Sequence, residues 1–207
     1  ETTLDDLGMY LYAQHAGERD AQIKKRKPEL KFDASGWDTE KLGTPKSYMV
    51  GGKNYKKGSK ALAIRFRNEI VEKRLDVLLS GGLITQKTYD FFKSGKVYKN
   101  YVPLKGIANG EVYSGAGKGF QLTGKDIIGA GGRQSFASNP AMQSINDLDN
   151  SIIRSEKNIV NQALYRLIEA NPLNNPDGTK YWEVKEIPQI PRFDENGDID
   201  VNASTGS

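Results

Sequence analysis

Asp147–Asn171, DLDNSIIRSEKNIVNQALYRLIEAN, is the longest continuous helical pattern in the sequence. Its apolar residues recur at spacings of three and four, which places them on one face of an α-helix: Ile152, Ile153, Val160, Ala163, Leu164, Leu167 and Ile168. Asp149 or Asn150 is suited to cap the start, and Pro172 ends the helix because proline disfavours helix at the residue before it. A helix this long must bury its apolar face, so we expect the other segments to pack against it. The opposite face carries amides that we expect to hydrogen-bond loops: Asn158, Asn161 and Gln162.

Three shorter helices are predicted elsewhere, over residues 2–27, 58–80 and 85–94. Thr3 and Asp6 have the spacing of a capping box at the start of the first. Gly81-Gly82 ends the second helix, and Thr85 starts the third. Residues 29–57 show no apolar period and many turn-forming residues, which predicts a long loop.

Short strands are predicted at Val97–Leu104, Glu111–Tyr113, Phe120–Leu122 and Tyr181–Val184, with a hairpin over Phe193–Val201. Pro103 confines the first strand to a sheet edge. The glycine-rich stretch between residues 105 and 140 is otherwise predicted as loop. We therefore expect a mainly helical α+β fold, with three to four helices around the long amphipathic helix, small strands and a long glycine-rich loop region. Residues 1–184 are predicted to form a single domain, followed by a hairpin-like acidic tail over residues 185–207 that continues into a larger chain.

The residue types restrict the chemistry of the chain. Its 207 residues include no cysteine and one histidine, which excludes disulfides and thiolate metal sites and argues against zinc and histidine-activated nucleophiles. We expect no cofactor. No apolar run reaches the roughly 18 residues that a membrane-spanning helix needs, so no membrane span is expected. The sequence begins at Glu1 without a methionine or an apolar leader, from which we expect a piece of a longer protein.

Basic residues are concentrated in one part of the chain. Residues 46–74 carry nine Lys or Arg and two Glu, a net charge of +7, whereas residues 186–200 sum to −4. Such a basic segment suits contact with nucleic acid, with Tyr48 and Tyr55 available for base stacking, although solvated charge is the commoner explanation. The candidate nucleic-acid-binding residues are Lys53, Lys56, Lys57, Lys60, Arg65, Arg67, Lys118 and Arg133.

Two glycine-rich stretches contain basic residues that could hold an anion. Ser114–Gly119, SGAGKG, resembles a phosphate-binding loop, but its spacing differs and Lys118 is followed by glycine instead of serine or threonine. A flexible loop is therefore favoured there. Gly129–Ser135, GAGGRQS, places Arg133 beside three glycines. The planar fork of that arginine could bind a phosphate or a carboxylate, but a structural bridge is the favoured interpretation.

Two groups of side chains with oxygen ligands are candidate metal sites: Glu69, Glu72 and Asp76, and Asp194, Asn196, Asp198 and Asp200. Arg65 and Lys73 interleave with the first group, which favours a solvated ion-pair face over a magnesium site or an acid–base pair. The second group alternates as in the start of a calcium loop, but Ile199 occupies the position that requires glycine. No metal site is therefore expected.

His15 is the one histidine, and it shares a helix face with Arg19 at a spacing of four. No nucleophile or metal ligand lies near it in sequence, so a buried, hydrogen-bonded histidine is favoured over a catalytic one. An enzymatic site near His15, Arg19 and Arg133 remains as an alternative.

Several phrases occur together in this sequence: Tyr10–Asp20 (YLYAQHAGERD), Gly81–Ile84 (GGLI), Tyr101–Leu104 (YVPL), Gly132-Arg133, Asn139-Pro140, Glu156–Leu167 (EKNIVNQALYRL), Asn171-Pro172 and Trp182-Glu183. In this order they cover most of residues 3–184 and resemble an accessory domain of very large multidomain proteins of bacteriophages and mobile elements, often called polyvalent proteins. Asp20 departs from the asparagine usual in that family, and Gly58-Ser59 is all that remains of its Gly-Ser-Gly-Met stretch. The resemblance implies a location in the virion interior, or in the host cytoplasm after delivery with DNA. It implies no catalytic residues.

These observations suggest three candidate functions. The first is a non-catalytic module of a large phage protein that accompanies DNA, and that contacts nucleic acid or docks neighbouring domains through a basic surface. The second is a structural virion-interior or ejection component that packs against copies or partners. The third is an enzyme, which a single histidine and the absence of cysteine make the weakest. The expected partners are nucleic acid and other domains or subunits of a larger phage protein.

Overall fold

The computed structural model describes residues 2–51, 55–96, 98–106, 122, 132–171 and 174–179. Of these residues 63% are helical and none forms a β-strand, so the described part of the protein is mainly helical, as predicted. None of its helices combines the length and the apolar character that crossing a membrane requires.

The helices in chain order are α1 (Leu4–Arg26), α2 (Thr39–Leu42), α3 (Pro45–Met49), α4 (Ser59–Phe66), a π-helical segment (Arg67–Val71), α5 (Glu72–Ser80), α6 (Gln86–Lys93) and α7 (Pro140–Ala170). α4, the π-helical segment and α5 follow one another without a break. The predicted helices over residues 2–27, 58–80 and 85–94 are therefore confirmed.

The predicted loop over residues 29–57 is wrong in part, because α2 and α3 form within it. The side chains of Asp38 and Thr44 cap these two helices by accepting hydrogen bonds from backbone N–H groups three residues later. Pro45 occupies the first position of α3, where its missing N–H is not needed. Both helices are too short to show an apolar period, so their caps were the only sequence signal for them.

The core is built around α1, which contacts α3, α4 and α7. The capping box at its start is confirmed: Asp6 N–H donates to Thr3 Oγ1 (3.2 Å), and Thr3 N–H donates to Asp6 Oδ2 (2.9 Å). The buried apolar residues that α1 contributes are Leu7, Tyr10, Leu11, Tyr12, Ala13, Ala16 and Ile23. Tyr12 also joins distant segments, since its hydroxyl donates to Ser35 O (2.8 Å) and accepts from Ala137 N (3.1 Å).

α7 begins seven residues earlier than the predicted start at Asp147. Its cap is Asn139, not Asp149 or Asn150, and the Oδ1 of Asn139 accepts from Ala141 N (2.9 Å) and Met142 N (3.3 Å). Pro140 follows the cap at the first helical position, where proline is well tolerated. The helix ends at Ala170, next to Asn171 and Pro172, as predicted.

The expectation that α7 buries its apolar face is wrong. Ile152, Val160, Leu164 and Leu167 remain 43%, 45%, 53% and 61% exposed. The residues that α7 buries are small or polar: Pro140, Ala141, Gln143, Ser144, Ser151 and Ser155. Small side chains allow the backbones of packed helices to approach closely, and the serine hydroxyls find backbone partners there, as with Ser155 Oγ donating to Val77 O (2.9 Å).

The prediction that amides of α7 bond to loops is confirmed at Asn158, whose Nδ2 donates to Gly81 O (2.7 Å) in the turn after α5. The strand predicted at Val97–Leu104 is wrong for its described residues. Val102 and Leu104 are buried, but side chains satisfy the neighbouring backbone, since Glu18 accepts from Asn100 N (2.9 Å). Pro103 has no N–H to offer to a sheet.

Several predictions lie outside the described residues. They are the strands Glu111–Tyr113, Phe120–Leu122 apart from Leu122, Tyr181–Val184 and Phe193–Val201, most of the glycine-rich loop region, and the tail over residues 185–207.

Candidate functional site

Three of the predicted nucleic-acid-binding residues lie together at the start of α4. Lys56, Lys57 and Lys60 are exposed, and none of them forms an ion pair with another described residue. We call these three residues the lysine surface. Gly58 is the N-cap of α4, with a φ of 103° and no side-chain cap, so the positive end of the helix lies beside the lysines.

An acidic group lies near the lysine surface. Hydrogen bonds from Thr3 and, to a smaller degree, the charge of Lys56 hold the pKa of Asp6 below its usual value. The carboxylate of Asp6 accepts the capping-box hydrogen bonds from Thr3, and its oxygens make no ion-pair contact with Lys56.

The two arginines farther along the same helix run are engaged within the protein. Arg65 Nε lies 2.8 Å from Glu69 Oε1 in an exposed ion pair, and that hydrogen bond raises the pKa of Arg65. Arg67 is half-buried and donates from Nη2 to Gln14 Oε1 (2.8 Å) on α1. Burial lowers the pKa of Arg67. Neither arginine is as available to a ligand as the three lysines.

The tyrosines predicted for base stacking belong to the core or its edge. Tyr48 is buried and packs edge-on against Trp37, with ring centroids 5.4 Å apart. Tyr55 is half-buried against Tyr10 at 6.1 Å. Lys53 and Lys118 lie outside the described residues.

Arg133 is a structural bridge, the interpretation favoured from the sequence. Its Nε donates to Ser135 O (2.6 Å), and its Nη2 donates to Ser135 Oγ and Phe136 O, both at 2.9 Å. Its Nη1 reaches Leu104 O (3.2 Å), which ties the segment before α7 to the segment after α6. Burial lowers the pKa of Arg133, and all the groups it binds are neutral.

The ring of His15 packs between two tyrosine rings. Its ring is fully buried between Tyr98 and Tyr101, with centroid distances of 4.6 Å and 5.4 Å. Neither ring nitrogen has a hydrogen-bond partner, and Nδ1 is 3.8 Å from Glu18 Oε2, too far for a hydrogen bond. Burial lowers the pKa of His15. The sequence had favoured a buried histidine, and the burial is observed without the hydrogen bonds.

Glu18 lies near His15 on α1 and joins α1 to the segment after α6. It accepts hydrogen bonds from Asn100 N (2.9 Å) and Asn100 Nδ2 (2.7 Å), which hold the segment after α6 against α1. Burial alone would raise the pKa of Glu18, but its hydrogen-bond donors lower it overall.

The enzymatic alternative required His15, Arg19 and Arg133 to meet in a pocket. One concave surface among the described residues is lined by Asp20, Lys24, Leu30, Phe32, Asp33 and Ala34, and it contains none of the three. Arg133 uses its guanidinium on backbone and serine oxygens instead. No group of three or more metal-ligating side chains is found among the residues that the structure describes.

The sequence analysis missed an exposed apolar surface on α7, within the part of the chain that the structure describes. Ile145, Ile152 and Ile159 are each exposed there, and of these Ile152 belonged to the face that was predicted to be buried. A signal was present in the sequence, because Ser144, Ser151 and Ser155 recur on the other side of the helix with small side chains suited to close packing.

Comparisons of the chain with models of protein families, with curated proteins and with solved structures find no significant match, so the assignment of a function rests on the residues themselves.

Proposed function

We propose that this protein is a non-catalytic module that contacts nucleic acid through the lysine surface. The observation that carries the proposal is the group Lys56, Lys57 and Lys60, which are exposed, adjacent and without ion pairs among the described residues. The uncapped N-terminus of α4 adds a partial positive charge at the same place. The resemblance to phage polyvalent proteins supports nucleic acid as the polyanion, in a larger protein that accompanies DNA.

This contact is with phosphate and is independent of base sequence. Lysine ammonium groups act as point charges toward phosphate oxygens, and such contacts position a protein on a duplex without reading its bases. Binding is therefore expected to be weak and strongly salt-dependent. Each phosphate contact changes the slope of log K against log salt by roughly −0.9 for duplex DNA.

The test is fluorescence anisotropy with labelled duplex DNA between about 50 mM and about 200 mM salt. The variant Lys56→Ala/Lys57→Ala/Lys60→Ala is expected to show a salt slope shallower by about 2–3 than that of the wild type. A matched control, Lys87→Ala/Lys96→Ala/Lys99→Ala, removes the same charge from exposed lysines elsewhere and should keep the wild-type slope. Equal slopes in the two variants would exclude the lysine surface as the contact.

A second candidate function is packing against other proteins or domains, and the exposed apolar side of α7 favours it. Apolar groups gain free energy when they leave water, and a continuous exposed patch of them is typical of an interaction site. The variant Ile152→Gln/Leu164→Gln is expected to associate more weakly than the wild type with an amphipathic peptide helix that carries aliphatic residues on one face, as measured by anisotropy, while keeping the salt slope for DNA. Association that is the same in this variant and in the wild type would contradict the packing function.

A further inference from the structure

Between residues 142 and 158 the exposed residues of α7 follow a seven-residue repeat, whereas most of residues 159–170 are exposed. Between residues 142 and 158 the exposed positions are Met142, Ile145, Asp149, Ile152 and Glu156, and the same spacing continues through Ile159 and Ala163. The steps alternate between three and four residues, which keeps the positions on one side of a helix along about 32 Å. We call these seven residues the α7 seam.

The α7 seam lies opposite the side through which α7 packs on the protein. The described elements that contact α7 are α1, α5 and the π-helical segment. The buried positions of α7 include Ser144, Ser151 and Ser155, which lie on the other side of the helix. Up to residue 158, α7 is therefore a two-sided helix, with small and polar residues inward and an outward row of apolar residues interrupted by Asp149 and Glu156.

A regular three-and-four spacing of exposed side chains is the pattern that a second helix recognises, because knobs at these positions fit holes between residues of a facing helix. Ile145, Ile152 and Ile159 recur every seven residues and would be the main apolar knobs. A β-strand or an irregular segment would not match a row of this period.

The two acidic members of the seam define the charge of the occupant. Asp149 and Glu156 are exposed, are seven residues apart, and form no ion pair with a described residue. A facing helix would remove water from them, and a desolvated carboxylate without a partner is strongly unfavourable. The occupant must therefore carry Lys or Arg opposite these two positions.

Charge argues against two other occupants, a second copy and the segment after α7, and glycine content argues against a third, the stretch between residues 105 and 140. In a parallel pair of two copies, Asp149 would face Asp149 and Glu156 would face Glu156, which is repulsive. The segment after α7 is a poor candidate because residues 186–200 carry a net charge of −4. The stretch between residues 105 and 140 is rich in glycine, which disfavours the helix required.

We propose that the α7 seam is a docking surface for an amphipathic helix of another protein or domain, with aliphatic residues at a three-and-four spacing and basic residues opposite Asp149 and Glu156. The inference is independent of the contact with nucleic acid. It rests on the packing function proposed for α7 and specifies the partner's chemistry.

The probes for a test are two labelled synthetic helices of about 24 residues, a length of roughly three to four heptads. Both carry Ile and Leu at the seam-facing positions, and they differ only in having Lys or Glu opposite Asp149 and Glu156. Anisotropy with the full chain is expected to show the lysine peptide binding at least about tenfold more tightly than the glutamate peptide. The chain variant Asp149→Lys/Glu156→Lys should reverse that preference, whereas the control Glu29→Lys/Glu40→Lys should keep it.

Three results would overturn the proposal. Equal binding of both peptides, weakened by Ile152→Gln/Ile159→Gln, would remove the basic partner but leave the packing function. Binding of neither peptide at about 100 µM would remove both. A molar mass that doubles with concentration, and that returns to 22.9 kDa in Ile152→Gln/Leu164→Gln, would make a second copy the occupant. Unchanged circular dichroism of each variant establishes that it remains folded.

Discussion

Gly81 lies so close to Ser155 that a Cβ on the glycine would come 2.7 Å from the Ser155 Cα. Ser155 Oγ donates to Val77 O (2.9 Å) in the same place, and Asn158 Nδ2 donates to Gly81 O (2.7 Å). The C-terminal end of α5 and the middle of α7 therefore meet through a glycine and a serine. This contact fixes which side of α7 faces the protein.

The first prediction concerns this contact. Gly81→Ala is expected to destabilise the protein by about 1–3 kcal/mol, because the new methyl group meets backbone and cannot be accommodated by a side-chain rotation. Gly17→Ala is the matched control, since a Cβ at Gly17 meets nothing within 4 Å and the position is inside α1. That control should stabilise the protein by up to about 1 kcal/mol. Urea unfolding followed by circular dichroism measures both, and an equal effect of the two substitutions would contradict the close approach.

A second prediction concerns the start of α7. Asn139 caps the helix through Oδ1, and its Nδ2 donates to Asp5 Oδ1 (2.8 Å) at the start of α1. Asn139→Ala removes both interactions and should lower the free energy of unfolding by about 1–2 kcal/mol. Asn139→Asp keeps the cap but loses the donor to Asp5 and places two carboxylates together. We expect it to recover less than the full loss, and full recovery would show that only the cap matters.

Arg133 gives a third prediction, which separates a structural arginine from a ligand-binding one. Arg133→Lys keeps the charge but cannot reach Leu104 O, Ser135 O and Phe136 O together, because lysine lacks the planar fork. We expect a loss of about 1–3 kcal/mol in stability and no change in the salt slope of DNA binding. Arg65→Lys, in an exposed ion pair, should be close to neutral in stability. A stable Arg133→Lys variant with weakened DNA binding would reverse the assignment.

His15 gives a fourth prediction, on pH. Burial lowers its pKa from the ordinary value of 6.5, so the unfolded chain binds a proton at a higher pH than the folded protein does. The stability that His15 contributes is therefore present in full above about pH 6.5 and is lost as the pH falls toward the folded pKa. The charged groups near the ring act in both directions, since Arg19 and Arg67 lower the pKa and Glu18 raises it.

The measurement for His15 is the free energy of unfolding at several pH values, for the wild type and for His15→Phe. The aromatic replacement keeps the packing between Tyr98 and Tyr101 but does not titrate. The difference between the two proteins should grow in favour of His15→Phe as the pH falls below about 6.5. A difference that stays constant with pH would mean that His15 is not buried in its neutral form.

The sequence predicted the features that depend on neighbouring residues. The capping box of Thr3 and Asp6, and the start of α6 at Thr85, follow from side chains that reach backbone three residues away. The orientation of α7 was predicted wrongly, because an apolar period shows that a helix has two sides but not which side the rest of the chain covers. Here the contact between Gly81 and Ser155, which are distant in sequence, decides the orientation.

The candidate site, like the fold, was predicted where it depends on neighbouring residues and missed where it depends on distant ones. Lys56, Lys57 and Lys60 are exposed, as short-range charge patterning suggests. The engagement of Arg67 by Gln14, and of Arg133 by Leu104 O, depends on residues from other parts of the chain and has no local signature. The sequence therefore identified the basic residues, but it could not separate the exposed lysines from the arginines that hold the fold together.

The orientation of α7 is tested most directly by the reactivity of single cysteines, because the chain contains no cysteine of its own. Ser151 is 3% exposed and the next residue, Ile152, is 43% exposed. In Ile152→Cys the thiol should react with a labelling reagent at a rate close to that in the unfolded chain, whereas in Ser151→Cys it should react far more slowly. Fast labelling at position 151 together with protection at position 152 would contradict the packing of α7 through its serines, and with it the exposed α7 seam.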